Sequence, residues 1–129
     1  MEQNQQDQQG QLTDEYAEIA TRTLTALAGP DAQLREDQQR AVTALVRDGA
    51  RVLVVQATGW GKSAVYWVAT AIRRHSSAQG GMTLVVSPLL SLMRDQVAAA
   101  ERAGLTARTL NSANFDDWSA IESELAADE

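Results

Sequence analysis

Residues 56–63 read Gln-Ala-Thr-Gly-Trp-Gly-Lys-Ser and combine residue types that suit phosphate binding. Glycines let the backbone wrap closely around an anion and turn several N–H groups toward it. Lys62 supplies a positive charge for the β- and γ-phosphates, and Ser63 supplies a hydroxyl for Mg²⁺. The segment therefore predicts an ATP-type phosphate-binding loop with Lys62 as the catalytic candidate. Its candidate nucleotide-binding residues are Thr58, Gly59, Trp60, Gly61, Lys62 and Ser63.

The loop departs from its common form at its first position, where glycine is usual and this chain has Gln56. An ordinary turn with a surface lysine is the alternative interpretation. The flanking elements favour a nucleotide. Residues 51–56 contain a continuous apolar stretch, 52–55, typical of a strand covered on both faces. The helix predicted over residues 61–75 adds N–H groups without helical partners and the positive end of a dipole.

Apolar spacing of three and four residues predicts helices that begin near Leu12 and Gln38. Further helices are predicted to begin near Leu89, directly after Ser87-Pro88, and near Asp116. Short apolar runs at residues 82–86 and 106–110 predict two more strands. Strands that alternate with helices are typical of parallel βαβ units. The predicted fold class is therefore α/β, with a parallel sheet flanked by helices and preceded by a helical N-terminal segment.

Composition and charge limit the classes of protein to which this chain can belong. Of the 129 residues 44% are apolar, so a modest folded core is expected, and the sequence has no cysteine for disulfides or thiolate metal sites. The apolar runs are too short to span a bilayer, and the polar start is unlike a secretory signal. The net charge of −6 is uneven: residues 34–110 carry +5, whereas residues 1–33 carry −5 and residues 111–129 carry −6. A basic middle is compatible with a polyanionic partner.

Together with the loop, three segments resemble the N-terminal motor domain of RecQ-family DNA helicases (superfamily two). Residues 34–39, Leu-Arg-Glu-Asp-Gln-Gln, resemble the family's adenine-recognition motif. Residues 84–97, Leu-Val-Val-Ser-Pro-Leu-Leu-Ser-Leu-Met-Arg-Asp-Gln-Val, are similar to its next motif almost residue for residue, and residues 110–112 match a shorter Leu-Asn-Ser element. The resemblance covers residues 34–112 and implies a partial RecA-like P-loop domain that binds ATP, Mg²⁺ and DNA.

The resemblance also implies roles for the matched positions. Gln38 would read the adenine edge with its amide, and Arg35 would lie against the adenine or fix the motif. The helix that opens after Ser87-Pro88 would contact the DNA backbone, because free N–H groups at a helix start suit a phosphate. Surface helix positions and ordinary turns are the alternative interpretations of these residues. The implied DNA-binding residues are Ser87, Pro88, Leu89, Arg94, Asn111 and Ser112.

The predicted domains are a disordered Gln-rich tail (1–11), an N-terminal helix (12–33) and the N-terminal part of a helicase ATP-binding domain (34–129). The Asp-Glu-x-His motif of the family is not recognised, since Asp128-Glu129 follows a helix-like stretch rather than a strand. We therefore expect a fragment that lacks unwinding activity alone, with a second motor domain in the full-length protein.

The expected full-length protein is a cytoplasmic, nucleoid-associated 3′-to-5′ DNA helicase of recombination and repair. Its expected partner is DNA, as single strands and duplex junctions. The alternatives are another superfamily-two DNA translocase and a nucleotide-binding module that does not hydrolyse ATP.

Overall fold

The computed structural model describes residues 13–57, 61–76, 81–87 and 89–127. No helix within these ranges is long and apolar enough to cross a membrane. A short 3-10 helix, Phe115–Asp117, precedes the last α-helix. The α-helices of the described part are α1 (Asp14–Ala28), α2 (Glu36–Val46), α3 (Lys62–His75), α4 (Leu90–Arg102) and α5 (Trp118–Ala126).

Local sequence signals explain where α1 begins and ends. The hydroxyl of Thr13 accepts a hydrogen bond from the backbone N–H of Tyr16, which satisfies one of the free donors of the first turn. Asp14 and Glu15 place negative charge at the positive end of the helix dipole. Gly29 ends the helix with a φ of 102°, a conformation that a residue with a Cβ rarely adopts.

The core of the described structure lies where α1 and α2 pack against α3. Val68, Ala71 and Ile72 of α3 are fully buried, because they recur on one helical face at spacings of three and four residues. Val42 of α2 is equally inaccessible. The guanidinium of Arg73 donates to the carbonyl of Leu45 at 3.2 Å, which adds a polar tie between α3 and the end of α2.

The C-terminal part is held by a network of side chains around the turn before α5. The indole N–H of Trp118 donates to the carbonyl of Asn111 at 3.0 Å and to Oδ1 of Asn114 at 3.2 Å. The Asn114 amide in turn donates to the carbonyl of Thr109. An ion pair of 2.9 Å between Arg108 and Glu124 connects the preceding segment to α5.

The predicted α/β fold class is wrong for the part of the chain that the structure describes. Residues 51–57, 81–87 and 105–110 contain no strand and form no sheet. Leu53 is 87% exposed, and Leu84 and Val86 are 80% and 84% exposed. Among the described residues of these runs, Val54 is the one that packs against the helical core. The apolar runs indicated burial on both faces, but a strand also needs hydrogen-bonded neighbours, and the helices here cover one side only.

We predict that Ile72→Ala lowers the free energy of unfolding by about 2–5 kcal/mol, because it leaves a cavity in a fully buried site. The matched change Leu53→Ala removes a similar volume from an exposed position and should alter stability by less than about 0.5 kcal/mol. Urea unfolding of the two variants measures both values. A large loss in Leu53→Ala would contradict the exposed placement of residues 51–57.

Candidate nucleotide-binding site

The start of α3 has the geometry that a phosphate-binding turn requires. Gly61 precedes the helix with φ of 94° and ψ of 39°, in the left-handed region. The first N–H groups of an α-helix have no partner in its own ladder and attract anions. The first turn of α3 contains no acidic residue that would compete for them. This terminus can therefore receive a negatively charged group.

Lys62, the catalytic candidate, is the first residue of α3 and is exposed. Its Nζ donates to the carbonyl of Gln56 at 2.8 Å, so the side chain spans the two ends of the loop. Ser63 follows it and is also exposed, which leaves its hydroxyl accessible to a ligand. Because both side chains are exposed, the Lys62 ammonium and the Ser63 hydroxyl are accessible to a phosphate in solution.

Gln38 lies against this loop although 23 residues separate it from Gly61. Its Nε2 donates to the carbonyl of Gly61 at 3.0 Å, and its Oε1 accepts from the backbone N–H of Arg35 at 2.7 Å. The side chain is 5% exposed. The structure therefore brings the residue that the resemblance assigned to adenine into contact with the phosphate loop.

Of the other predicted nucleotide-binding residues, one is described by the structure and three are not. Arg35 is exposed immediately before α2, and its backbone N–H is the donor to Gln38. Thr58, Gly59 and Trp60 lie outside the described residues. The described site therefore consists of Gln38, Gly61, Lys62 and Ser63, with the carbonyl of Gln56 at its edge.

The predicted DNA-binding residues lie in a second region, around the start of α4. Ser87 is half-buried, and its hydroxyl donates to the carbonyl of Leu89 at 3.4 Å. Leu89 is 54% exposed, Arg94 is exposed on α4, and Pro88 lies outside the described residues. No acidic residue occupies the first turn of α4, so this helix start also suits an anion.

The Leu-Asn-Ser turn contacts α4 beside Arg94. The Asn111 amide donates to the sulfur of Met93 at 3.7 Å, while its Oδ1 accepts from the N–H of Ala113 at 2.8 Å. Asn111 therefore shapes the turn, and the neighbouring Ser112 is exposed. The structure therefore brings this turn and α4 together.

A cavity of about 490 Å³ lies apart from the loop, between α3, α4 and residues 104–110. Its lining includes Trp67, Met93, Ala100 and Ile121, and Ser87 is the lining residue that belongs to a predicted site.

Burial raises the pKa of the Tyr66 hydroxyl on α3, so this group stays neutral near pH 7. No group of three or more His, Cys, Asp or Glu side chains that could hold a metal occurs among the described residues.

Sequence reasoning missed three contacts of the site. The spacing of Arg35 and Gln38 matches the reciprocal half of a capping box, so the bond between them was predictable from a local pattern. The bond from Gln38 to Gly61 has no local signal, because only packing of α2 against α3 brings the two together. The role of the Gln56 carbonyl was hidden for a simpler reason: backbone atoms carry no sequence signature.

The chain matches the DEAD/DEAH box helicase family over residues 35–124. This range contains every described residue of the loop and of the second region. The chain belongs to the DEAD/DEAH box helicase family. Enzymes of this family use ATP, in agreement with the loop chemistry at Lys62.

Individual relatives are RecQ-type helicases. The chain is 42% identical to ATP-dependent DNA helicase Q-like 2 of Arabidopsis thaliana over 78 residues, and this aligned region covers 60% of this chain and 10% of the relative. It is 41% identical over 78 residues to ATP-dependent DNA helicase RecQ of Haemophilus influenzae, which is 60% of this chain and 12% of the relative. The chain thus spans about a tenth of the length of these relatives. The predicted RecQ-family membership is confirmed. No solved structure matches the chain significantly.

We predict that Gly61→Ala destabilises the protein more than Gly49→Ala does. Both glycines have positive φ, 94° and 62°, and alanine in that region costs about 1–2 kcal/mol. Only at Gly61 would the new Cβ meet another atom, Nε2 of Gln38, at 2.7 Å. Nε2 is the far end of a flexible side chain and can move away, which costs the hydrogen bond from Gln38 to Gly61, about 0.5–1.5 kcal/mol. Equal losses of unfolding free energy in the two variants would show that Gln38 does not lie against Gly61.

Proposed function

We propose that the chain is the ATP-binding portion of a RecQ-like, ATP-dependent 3′-to-5′ DNA helicase that acts in recombination and repair. The observation that carries the proposal is the placement of Lys62 at an acid-free helix start, directly after left-handed Gly61. Membership of the DEAD/DEAH box helicase family supports ATP as the ligand of this helix start. Direction and pathway rest on the similarity to RecQ-type relatives.

In this proposal the residues at the loop bind and orient the triphosphate. The N–H groups at the start of α3 receive phosphate oxygens, and Lys62 exchanges its bond to the Gln56 carbonyl for one to the β- and γ-phosphates. The exposed Ser63 hydroxyl fits a place in the coordination of Mg²⁺, which supplies neutralisation of phosphate charge when bound. The isolated chain binds nucleotide in this way without unwinding DNA.

The proposed partner is DNA, at single strands and duplex junctions. Support comes from the second region, where the start of α4, Arg94 and Ser112 are exposed together with a turn that Asn111 shapes. An exposed arginine and free helix N–H groups contact phosphates and do not depend on base sequence. In this proposal the full-length protein also contains a second motor domain.

We predict that Lys62→Ala weakens binding of Mg-ATP by at least about tenfold, because a charge-assisted contact to the phosphates is lost. Arg51→Ala is the matched control, since it removes an exposed cation just before residues 52–57 without touching the loop contacts. Competition against a fluorescent ATP analogue measures both affinities. Equal affinities in the two variants would remove Lys62 from the site.

Lys62 is also the only lysine in the sequence, which permits a test without mutation. Amine-selective acetylation can reach only this side chain and the α-amino group. Mg-ATP should slow acetylation of Lys62 and leave the α-amino group unaffected, as read by peptide mass spectrometry. An unchanged rate at saturating Mg-ATP would place the nucleotide elsewhere.

We predict that Arg94→Gln weakens binding of single-stranded DNA and reduces the salt dependence of binding. Loss of one phosphate contact lowers the slope of log affinity against log salt concentration by about 0.7. Arg102→Gln, an exposed change in the last turn of the same helix, should leave the slope unchanged. Fluorescence anisotropy with a labelled oligonucleotide at several salt concentrations separates the two. Identical slopes in both variants would exclude Arg94 from the DNA contact.

A further inference from the structure

The cavity between α3, α4 and residues 104–110 lies outside the phosphate loop, and the proposed function leaves it unassigned. Its volume of about 490 Å³ falls within the range of about 300–1,000 Å³ that is typical of sites for small organic ligands. Protein interiors are packed so closely that voids larger than a water molecule are few. A space of this size can therefore hold a small molecule.

One face of each of three helices lines this space. The buried members among the described lining residues are Trp67 and Thr70 of α3, Ala100 of α4 and Ile121 of α5. Met93, a further lining residue, lies two turns before Ala100 on the same face of α4. The buried part of the wall is therefore mainly apolar, and it favours a ligand with an apolar body.

Two of the buried wall residues carry polar groups, and these groups differ in their hydrogen bonding. The hydroxyl of Thr70 donates to the hydroxyl of Thr83 at 2.9 Å. The indole Nε1 of Trp67 is buried and has no hydrogen-bond partner among the described residues. Such a donor is unfavourable because it has lost contact with water and gained no acceptor. A ligand oxygen beside the indole would satisfy it.

The charged lining residues are already engaged by the protein itself. The guanidinium of Arg74 donates to the carbonyl of Gly81 at 2.7 Å, and Arg108 forms its 2.9 Å ion pair with Glu124. No aspartate or glutamate occurs among the described lining residues. The wall therefore favours an uncharged ligand over an ion.

We propose that this cavity is a binding site for a small, uncharged aromatic molecule that carries a carbonyl oxygen, with Trp67 as the donor to that oxygen. The ring of Trp67 and the sulfur of Met93 both make favourable contacts with aromatic groups. The site is separate from the phosphate loop, so this inference does not depend on the proposed function.

Acetophenone and ethylbenzene test the inference, because they are similar in size and shape and differ in the carbonyl oxygen. We expect saturable binding of acetophenone to the full chain, measured by NMR titration. Trp67→Phe keeps an aromatic ring and removes the donor. It should lower the ratio of acetophenone affinity to ethylbenzene affinity by about threefold to tenfold. An unchanged ratio would overturn the inference.

A second variant tests the location of the site. Ala100→Phe places a ring in the cavity and should abolish binding of both probes. Ala98→Phe adds the same ring at an exposed position of α4 that is not among the lining residues, and it should leave both affinities unchanged within about twofold. Melting temperatures check the folding of each variant. Full binding by a folded Ala100→Phe chain would place the probes elsewhere and overturn the inference.

The unaltered chain provides a test that needs no variant. Its isoleucines are Ile19, Ile72 and Ile121, so their methyl resonances are readily distinguished. Acetophenone should shift the methyl resonance of Ile121, which lines the cavity, and leave that of Ile19 on α1 unchanged. Equal shifts at Ile19 and Ile121 would show binding without a defined site and contradict the inference.

Discussion

The burial of α3 between α1 and α2 is the constraint on which the other features of this structure depend. Val68, Ala71 and Ile72 have no accessible surface, and their burial fixes the rotation and position of the helix. Because Lys62 is the first residue of α3, the same packing fixes where the positive end of the helix lies. The core thus determines the position of the helix start, whereas none of the described residues of the loop is buried in the core.

The contribution of α1 to this arrangement extends beyond the matched family region. The helicase family matches from residue 35 onward, whereas Ile19 and Ala20 of α1 belong to the same buried cluster as Val68. A segment that carries no helicase motif therefore supports the helix that presents Lys62.

Two proposed sites with different demands share the described structure. The proposed nucleotide site needs a fixed backbone, and the left-handed Gly61 and the buried amide of Gln38 provide one. The second region needs accessible positive charge and an open helix start, which Arg94 and the first turn of α4 provide. The Asn111 turn connects to α4 through Met93, so the second region is also organised by tertiary contacts.

The sequence by itself determined the loop chemistry, the helices and the family, because each depends on residue types at short spacings. Lys62 and Ser63 after glycine, and the apolar stripe of α3, are local patterns that predict their own structure. Only the tertiary structure decided that Gln38 contacts Gly61 and that Leu53 and Leu84 are exposed. Those facts depend on which surfaces meet across long stretches of chain. An apolar run indicates that a side chain tends toward burial but not which element covers it, and this is why the predicted sheet was wrong while the predicted family was confirmed.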